Sequence, residues 1–290
     1  MNIVSIYRTF PTEESCIARL EAVRWKGKPV CPYCKSDRVT SVSKQHRHHC
    51  NACNTSFSVT VGTIFHHTHL DLQKWFLALS LILNAKKGIA ARQLACDLEV
   101  TKNTAWYLAM RIRRAMEQSE ERNLLTGIVE MDETYIGGKP RKGDGKEHKR
   151  GRGTDKVPVV GLAEPGGNVK AKDVKEDMLN GKGLSALVRG SVNLAEATLM
   201  TDEYKGYLRM SRIVDHKTIN HTVRYVDGDI HTNTIEGFWA LLKRGIVGQY
   251  HKVSVGYLPK YLDEFRFRYN NRETVDLFGR TLRRGLGVQR

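Results

Sequence analysis

Residues 128–136 read IVEMDETYI, and residues 197–203 read ATLMTDE. Both are short, apolar, β-like runs that carry acids, and the reading of the chain turns on whether they lie side by side in one sheet. Alternation along the first run puts Val129, Met131 and Glu133 on one face and Glu130 and Asp132 on the other. Asp202 closes the second run, which sets it at the rim of a sheet where a ligand can reach it. A third stretch, residues 231–244, reads HTNTIEGFWALLKR and opens a helix. Glu236 and Lys243 are seven residues apart in it, about two turns, so they share a face.

Two aspartates on neighbouring strands and an acid on a packed helix would hold two Mg²⁺ (or Mn²⁺) ions, because hard cations prefer oxygen ligands. A pair of such ions activates the attacking oxygen and stabilises the leaving one in an in-line phosphoryl displacement. Lys243 would contact a phosphate beside them. Taken singly, each residue has an ordinary role. A strand-end Asp is usually a turn or cap residue, Glu236 early in a helix suits the helix dipole, and Lys243 is a solvated charge. The ordered set of strand Asp, strand Asp and helix Glu is harder to dismiss in a basic chain.

The chain is basic throughout. Its 290 residues carry 47 Lys and Arg against 31 Asp and Glu, a formal charge of +16 with a pI near 9.6. That excess attracts polyanions, nucleic acid ahead of an anionic membrane, since no amphipathic basic helix with a membrane-facing side stands out. Apolar residues make up 40%, enough for a substantial core. No run of about eighteen apolar residues exists, so no membrane span is expected. The longest apolar stretch, residues 75–83, reads as a buried helix. The N-terminus lacks a basic start followed by an apolar core, so no secretion signal is expected and the location is cytoplasmic. Six cysteines in that setting suggest metal binding rather than disulfides.

Four of them are paired: Cys31-Pro-Tyr-Cys34, fifteen residues, then Cys50-Asn-Ala-Cys53. Two such knuckles present four thiolates in a tetrahedron, the closed geometry of structural Zn²⁺. The β-like Arg38-Val-Thr-Ser-Val between them suits a zinc ribbon. A redox CxxC needs only one pair. His46, His48 and His49 are read as surface groups, because four cysteines already satisfy the ion. Residues 90–98 and 101–114 then read as two helices around a turn at Val100, the second capped by Thr101. The layout resembles a helix-turn-helix, whose second helix enters the major groove. Lys102 and Asn103 would stand at its start for base contacts, and Arg111, Arg113 and Arg114 add charge at its far end. An ordinary helical hairpin is the alternative. Residues 137–156, GGKPRKGDGKEHKRGRGTDK, form a basic, nearly apolar-free loop just after Asp132. Either it is a plain surface loop, or Lys139, Arg141 and Lys142 order against phosphates, with Arg244 a further DNA contact. The expected division is a zinc ribbon over 1–62, a helix-turn-helix-like segment over 66–120, a catalytic domain over 126–275 and a basic tail over 276–290.

At these motifs the chain resembles bacterial insertion-sequence transposases of the ISXO-two-like group. The resemblance spans nearly the whole chain: the zinc ribbon, MDETYIGGK at 131–139, TDEYKGY at 201–207, HTNTIEGFWALLKRGIVGQYHKVS at 231–254 and YLDEFRFRYNNR at 261–272. It implies an α/β fold with an RNase-H-like mixed-sheet catalytic core and a DDE-type acidic triad. Asp132 and Asp202 match the two aspartates. The third position in this group is Asn or Glu followed by Lys. Glu236 is assigned to it, because an anion binds Mg²⁺ better than an amide. Asn233 is the runner-up, and Lys243 matches the trailing lysine. The resemblance further implies double-stranded DNA as partner, both terminal inverted repeats and target, a homo-oligomer when two ends are held, and strand cleavage followed by 3′-hydroxyl transfer. A DNA-binding regulator without catalysis is the rival reading.

Overall fold

The computed structural model describes residues 1–117, 124–138, 154–218 and 232–288. The chain divides into two compact units, one of residues 1–117 with 273–290, the other of residues 118–272. No described helix is long and apolar enough to cross a membrane.

The first unit opens with helices α1 (Ile3–Thr9) and α2 (Glu13–Trp25). Thr12 starts α2 with a reciprocal cap: its hydroxyl accepts from the Ser15 amide, and the Ser15 hydroxyl accepts from the Thr12 amide. A three-stranded antiparallel sheet follows, β1 (Val39–Val42), β2 (Arg47–Cys50) and β3 (Thr55–Phe57) in that order. Then come α3 (Leu72–Asn84), α4 (Ala91–Leu98) and α5 (Lys102–Met116). The apolar stretch at 75–83 is indeed the buried part of α3, with Trp75, Phe76, Ala78, Leu79 and Ile82 at 2% exposure or less.

Residues 277–285 are not a tail. They form α9 (Leu277–Gly285), which returns to this unit and buries Phe278 and Leu282. The rings of Phe10, Phe76 and Phe278 meet edge to face at 4.9 and 5.6 Å. Gly285 lies so close to Ile64 that an added Cβ would come within 2.7 Å of its side chain. Helical spacing of Leu277, Phe278, Thr281 and Leu282 makes the segment amphipathic, and its arginines hide that pattern in a composition count.

The second unit is a five-stranded mixed sheet. Its strands are β4 (Leu125–Ile136), β5 (Val157–Ala163), β6 (Val169–Asp173), β7 (Val192–Thr201) and β8 (Asp215–Thr218). The order is β6-β5-β4-β7-β8: β4, β5 and β6 are antiparallel, and β4, β7 and β8 are parallel. A parallel neighbour needs a crossover, and α6 (Gly181–Ser191) supplies it before β7. This is the RNase-H-like arrangement that the family resemblance implies. α7 (Asn233–Gly245), a single π turn (Ile246–Tyr250) and α8 (Leu258–Asn270) follow. Each face of the sheet has its own core. Val129, Met131, Val160 and Leu162 pack with Leu184 and Val188 of α6. Ile136, Val159 and Ala163 pack with Ile235, Phe238 and Trp239 of α7 and with Leu258, Leu262 and Phe265 of α8. The period-two split expected for residues 128–136 is therefore the split between two helix layers.

Candidate active site and zinc centre

The Sγ atoms of Cys31, Cys34, Cys50 and Cys53 all lie within 4.8 Å of one another. Cys31 to Cys53 is 3.7 Å and Cys34 to Cys50 is 3.5 Å. Four sulfurs at about 2.3 Å from a tetrahedral zinc stand about 3.8 Å apart, so the cluster fits the ion. Each knuckle turns through a left-handed residue, Lys35 at φ 62° and Asn54 at φ 53°. Its amides then point back at sulfur. The Cys53 amide, assisted by that of Ala52, pulls the Cys50 thiol down to about 6. Burial pushes the Cys31 thiol up, but the amides of Cys34 and Tyr33 and the neighbouring thiols outweigh it. Cys34 goes the other way: against the pull of the Ser36 amide, burial and the sulfurs of Cys50, Cys53 and Cys31 push it up to about 12, so the crowded thiols share protons until a cation replaces them. The surface reading of the nearby histidines fails for His48. It alternates inward on β2 with Cys50, is 5% exposed, stacks against Phe57 and pairs through Nε2 with Glu21 at 2.7 Å. His46 and His49 do face outward.

The helix pair forms as expected. Glu99 ends α4 in the left-handed region, and Thr101 caps α5 by accepting from the Thr104 amide at 3.2 Å. Lys102, Asn103 and Arg114 are exposed. Two other predicted contacts point elsewhere. Arg113 is 2% exposed, inside the unit. Arg111 donates to the His66 carbonyl at 2.7 Å and covers the rings of Tyr107 and Trp75. Helical spacing explains Arg113, which falls on the stripe of Ala105, Leu108, Ala109 and Ile112 rather than opposite it. Lys139, Arg141, Lys142 and most of the basic loop lie outside the described residues.

In the second unit, Glu130 on β4 pairs in register with Met200 on β7. Asp132 lies two residues further along β4, Asp202 two residues beyond Met200 and just past the end of β7, and the charge of Asp202 reaches Asp132. Asp132 titrates high, up to about 7. Burial contributes most, then the charge of Glu133, with that of Asp202 adding to it, while the Glu133 amide and the Trp239 indole pull the other way. The Trp239 Nε1 donates to Asp132 Oδ2 at 3.0 Å. Asp202 Oδ1 accepts the Tyr204 amide at 3.0 Å, so its bland reading as a turn residue is also true. Asn233, Glu236, Lys243 and Arg244 are exposed on α7. Glu236 Oε1 accepts the Thr232 hydroxyl at 2.9 Å, and Arg244 Nε donates to the Ala240 carbonyl. Among the described residues, the four cysteines are the only His, Cys, Asp or Glu group of three or more drawn within 4.8 Å. Glu236 therefore stands outside such a cluster with the two aspartates.

Three residues that the sequence reading left without a role surround Asp132. Glu130 is fully buried and accepts the Ile235 amide at 2.8 Å, at the positive end of α7. Gly161 pairs directly with Asp132 across β4 and β5, and a Cβ there would meet Trp239 at 2.5 Å and Ile235 at 2.7 Å. Trp239 fills that space. The one sequence signal was parity: Glu130 shares a face with Asp132, and a mid-strand acid under a helix needs a donor.

The chain is 29% identical over 281 residues to the uncharacterized protein in transposable element ISH50 of Halobacterium salinarum, covering 90% of this chain and 92% of that one. Distant likenesses extend to the crystal structure of a pre-cleavage Mos1 transpososome, 14% identical over 73% of this chain and 78% of that one with a TM-score of 0.32. A Mos1 transposase paired-end complex with left transposon end is 12% identical over 68% and 76%, with a TM-score of 0.21. Residues 11–56 match the transposase zinc-ribbon domain. Residues 124–270, which include both aspartates, the sheet and α7, match the ISXO2-like transposase domain, and the chain belongs to that family.

Proposed function

We propose that this transposase cleaves DNA at the terminal repeats of its element and transfers the freed 3′-hydroxyl to target DNA, with Asp132 and Asp202 as the carboxylates that hold Mg²⁺. The observation that carries this reading is the placement of the two acids. Asp132 lies within β4 and Asp202 directly follows the end of β7, the parallel neighbour of β4, and the charge of Asp202 helps to push the Asp132 carboxyl up to about 7. Hard oxygens with excess negative charge suit a divalent cation. When bound, a pair of such ions activates the attacking oxygen and stabilises the leaving one.

The chain's own groups would do the rest. Glu236 swings from the Thr232 hydroxyl to complete the acidic set, with Asn233, one turn earlier on the same exposed helix start, as the second choice. Lys243, two turns beyond Glu236, binds a phosphate beside the cut, and Arg244 adds positive charge next to it. Lys102 and Asn103 at the start of α5 read the terminal repeat, with Arg114 on the backbone and the zinc ribbon contributing further contact. Lys139, Arg141 and Lys142 belong to a basic arm against DNA. Two ends are joined in one reaction, which calls for a homo-oligomer.

The still-open acidic set favours one alternative, a sequence-specific DNA-binding regulator derived from a transposase. Incubating the protein with DNA that carries the native element ends, with and without Mg²⁺, separates the two. Strand transfer predicts joined products only with Mg²⁺. A regulator binds the ends and leaves them uncut under both conditions.

A further inference from the structure

We propose that Trp239 is a positioning residue for the metal site: its indole N–H occupies Oδ2 of Asp132 and so aims the remaining oxygen toward Asp202. The proposal rests on the metal-binding reading of Asp132 and Asp202 and adds a residue to it.

Three observations combine. The indole Nε1 lies 3.0 Å from Asp132 Oδ2, and the Trp239 ring is 4% exposed, packed in the α7 core with Ile235 and Phe238. The ring reaches that oxygen because the residue cross-strand from Asp132 is Gly161. Any Cβ there would come within 2.6 Å of two indole carbons. The helix that carries the ring is tied to the same strand two residues earlier, where buried Glu130 accepts the Ile235 amide. β4 thus grips α7 at two points one turn apart, and the second grip is on the carboxylate itself. A buried N–H beside a carboxylate fixes its rotamer, and a carboxylate with a fixed rotamer loses less freedom when a cation binds. Partners of this kind typically change metal affinity by about 10- to 100-fold when removed. Trp239 touches no reacting atom, so its effect is on binding of the ion.

The test is Mn²⁺ binding to the full, zinc-loaded chain at one fixed alkaline pH, read as the loss of free-ion electron paramagnetic resonance signal. Trp239→Phe removes the donor and keeps a ring of similar shape. It is expected to weaken Mn²⁺ binding by about tenfold or more. Gly161→Ala, which displaces the indole without deleting it, is expected to shift affinity in the same direction. Phe238→Leu, a neighbour in the same core without a donor, is expected to lower the melting temperature and leave Mn²⁺ affinity unchanged. Wild-type affinity in a folded Trp239→Phe protein would overturn the proposal, as would an equal loss in Phe238→Leu. Should the wild type bind no Mn²⁺, or bind as well after Asp132→Asn, the metal reading beneath it falls as well.

Discussion

The two candidate metal sites differ in how far they are assembled before any ion arrives. The four thiols already stand at the spacing of zinc ligands, whereas the acids of the second unit are a pair with a third member held elsewhere. Two physical differences account for this. The cysteines come from two tight knuckles only fifteen residues apart, so local backbone turns do most of the placing. Asp132, Asp202 and Glu236 come from three elements distant in sequence, so only tertiary packing could bring them together. Charge acts in the same direction. Thiols can approach one another while protonated, but three carboxylates repel, and one oxygen of each accepts from a neutral donor instead: Trp239, the Tyr204 amide and the Thr232 hydroxyl.

The strongest way to break this contrast is to attack the assembled site. Cys31→Ser or Cys50→Ser should abolish zinc retention and unfold the ribbon, since structural zinc contributes on the order of 10 kcal/mol to such modules. Zinc content by mass spectrometry and the circular dichroism of the full chain check it. A mutant that keeps one zinc per chain would show that the thiols are not the ligands. Next in size, Asp132→Ala or Asp202→Ala should reduce strand transfer by about a thousandfold or more, several kcal/mol of barrier. DNA binding, measured by gel shift, should be unchanged. Activity retained in either mutant removes that aspartate from the site.

Much of this was legible in the sequence, for reasons that differ between sites. Cys31 to Cys53 could be read directly, because ligand identity and local spacing determine the geometry. The faces of residues 128–136 followed from strand parity and hold in the two cores. The family resemblance supplied the strand order that no local pattern contains. What stayed hidden depended on packing. Arg113 looks like a surface charge until its helical phase is set against Leu108 and Ile112. The roles of Trp239 and Gly161 exist only because β5 lies beside β4 with position 161 facing position 132. α1 and α2 left too weak an apolar stripe to stand out, with Ile6 alone buried in α1 and Cys16 and Leu20 in α2.

A smaller effect tests the charge half of the contrast. In the ion-free protein Asp132 ionises near 7, against an ordinary value of 3.8. Its folded value is raised, so the folded state holds the proton more tightly. The carboxyl then costs nothing below its unfolded value, and destabilises increasingly as pH climbs from there to about 7. Asp132→Asn should therefore stabilise the second unit above neutrality, by a few kcal/mol at most, and the gain should vanish under acid. Thermal melts of both proteins across that range, with a chelator that spares the ribbon zinc, give the difference. A gain independent of pH would mean that the buried charge is not its source. Divalent cation should erase the gain at high pH by taking the place of the proton.

The smallest effect applies the same comparison to one helix. Arg113 and Lys102 are both cations on α5, one committed to the interior and one open to solvent. If Lys102 meets a phosphate, Lys102→Ala should leave the melting temperature unchanged and weaken DNA binding by about 1 kcal/mol. The logarithmic salt dependence of binding should become shallower by about one counterion, the expected release per neutralised phosphate. Arg113→Ala should do the reverse: it removes a buried side chain from the unit's core, so stability falls by roughly 1–3 kcal/mol. Its salt slope should match the wild type once measured well below the lowered melting temperature. If Arg113→Ala made the slope shallower while Lys102→Ala did not, α5 would present a different face to DNA from the one its burial pattern indicates, and Thr101 would cap an ordinary hairpin.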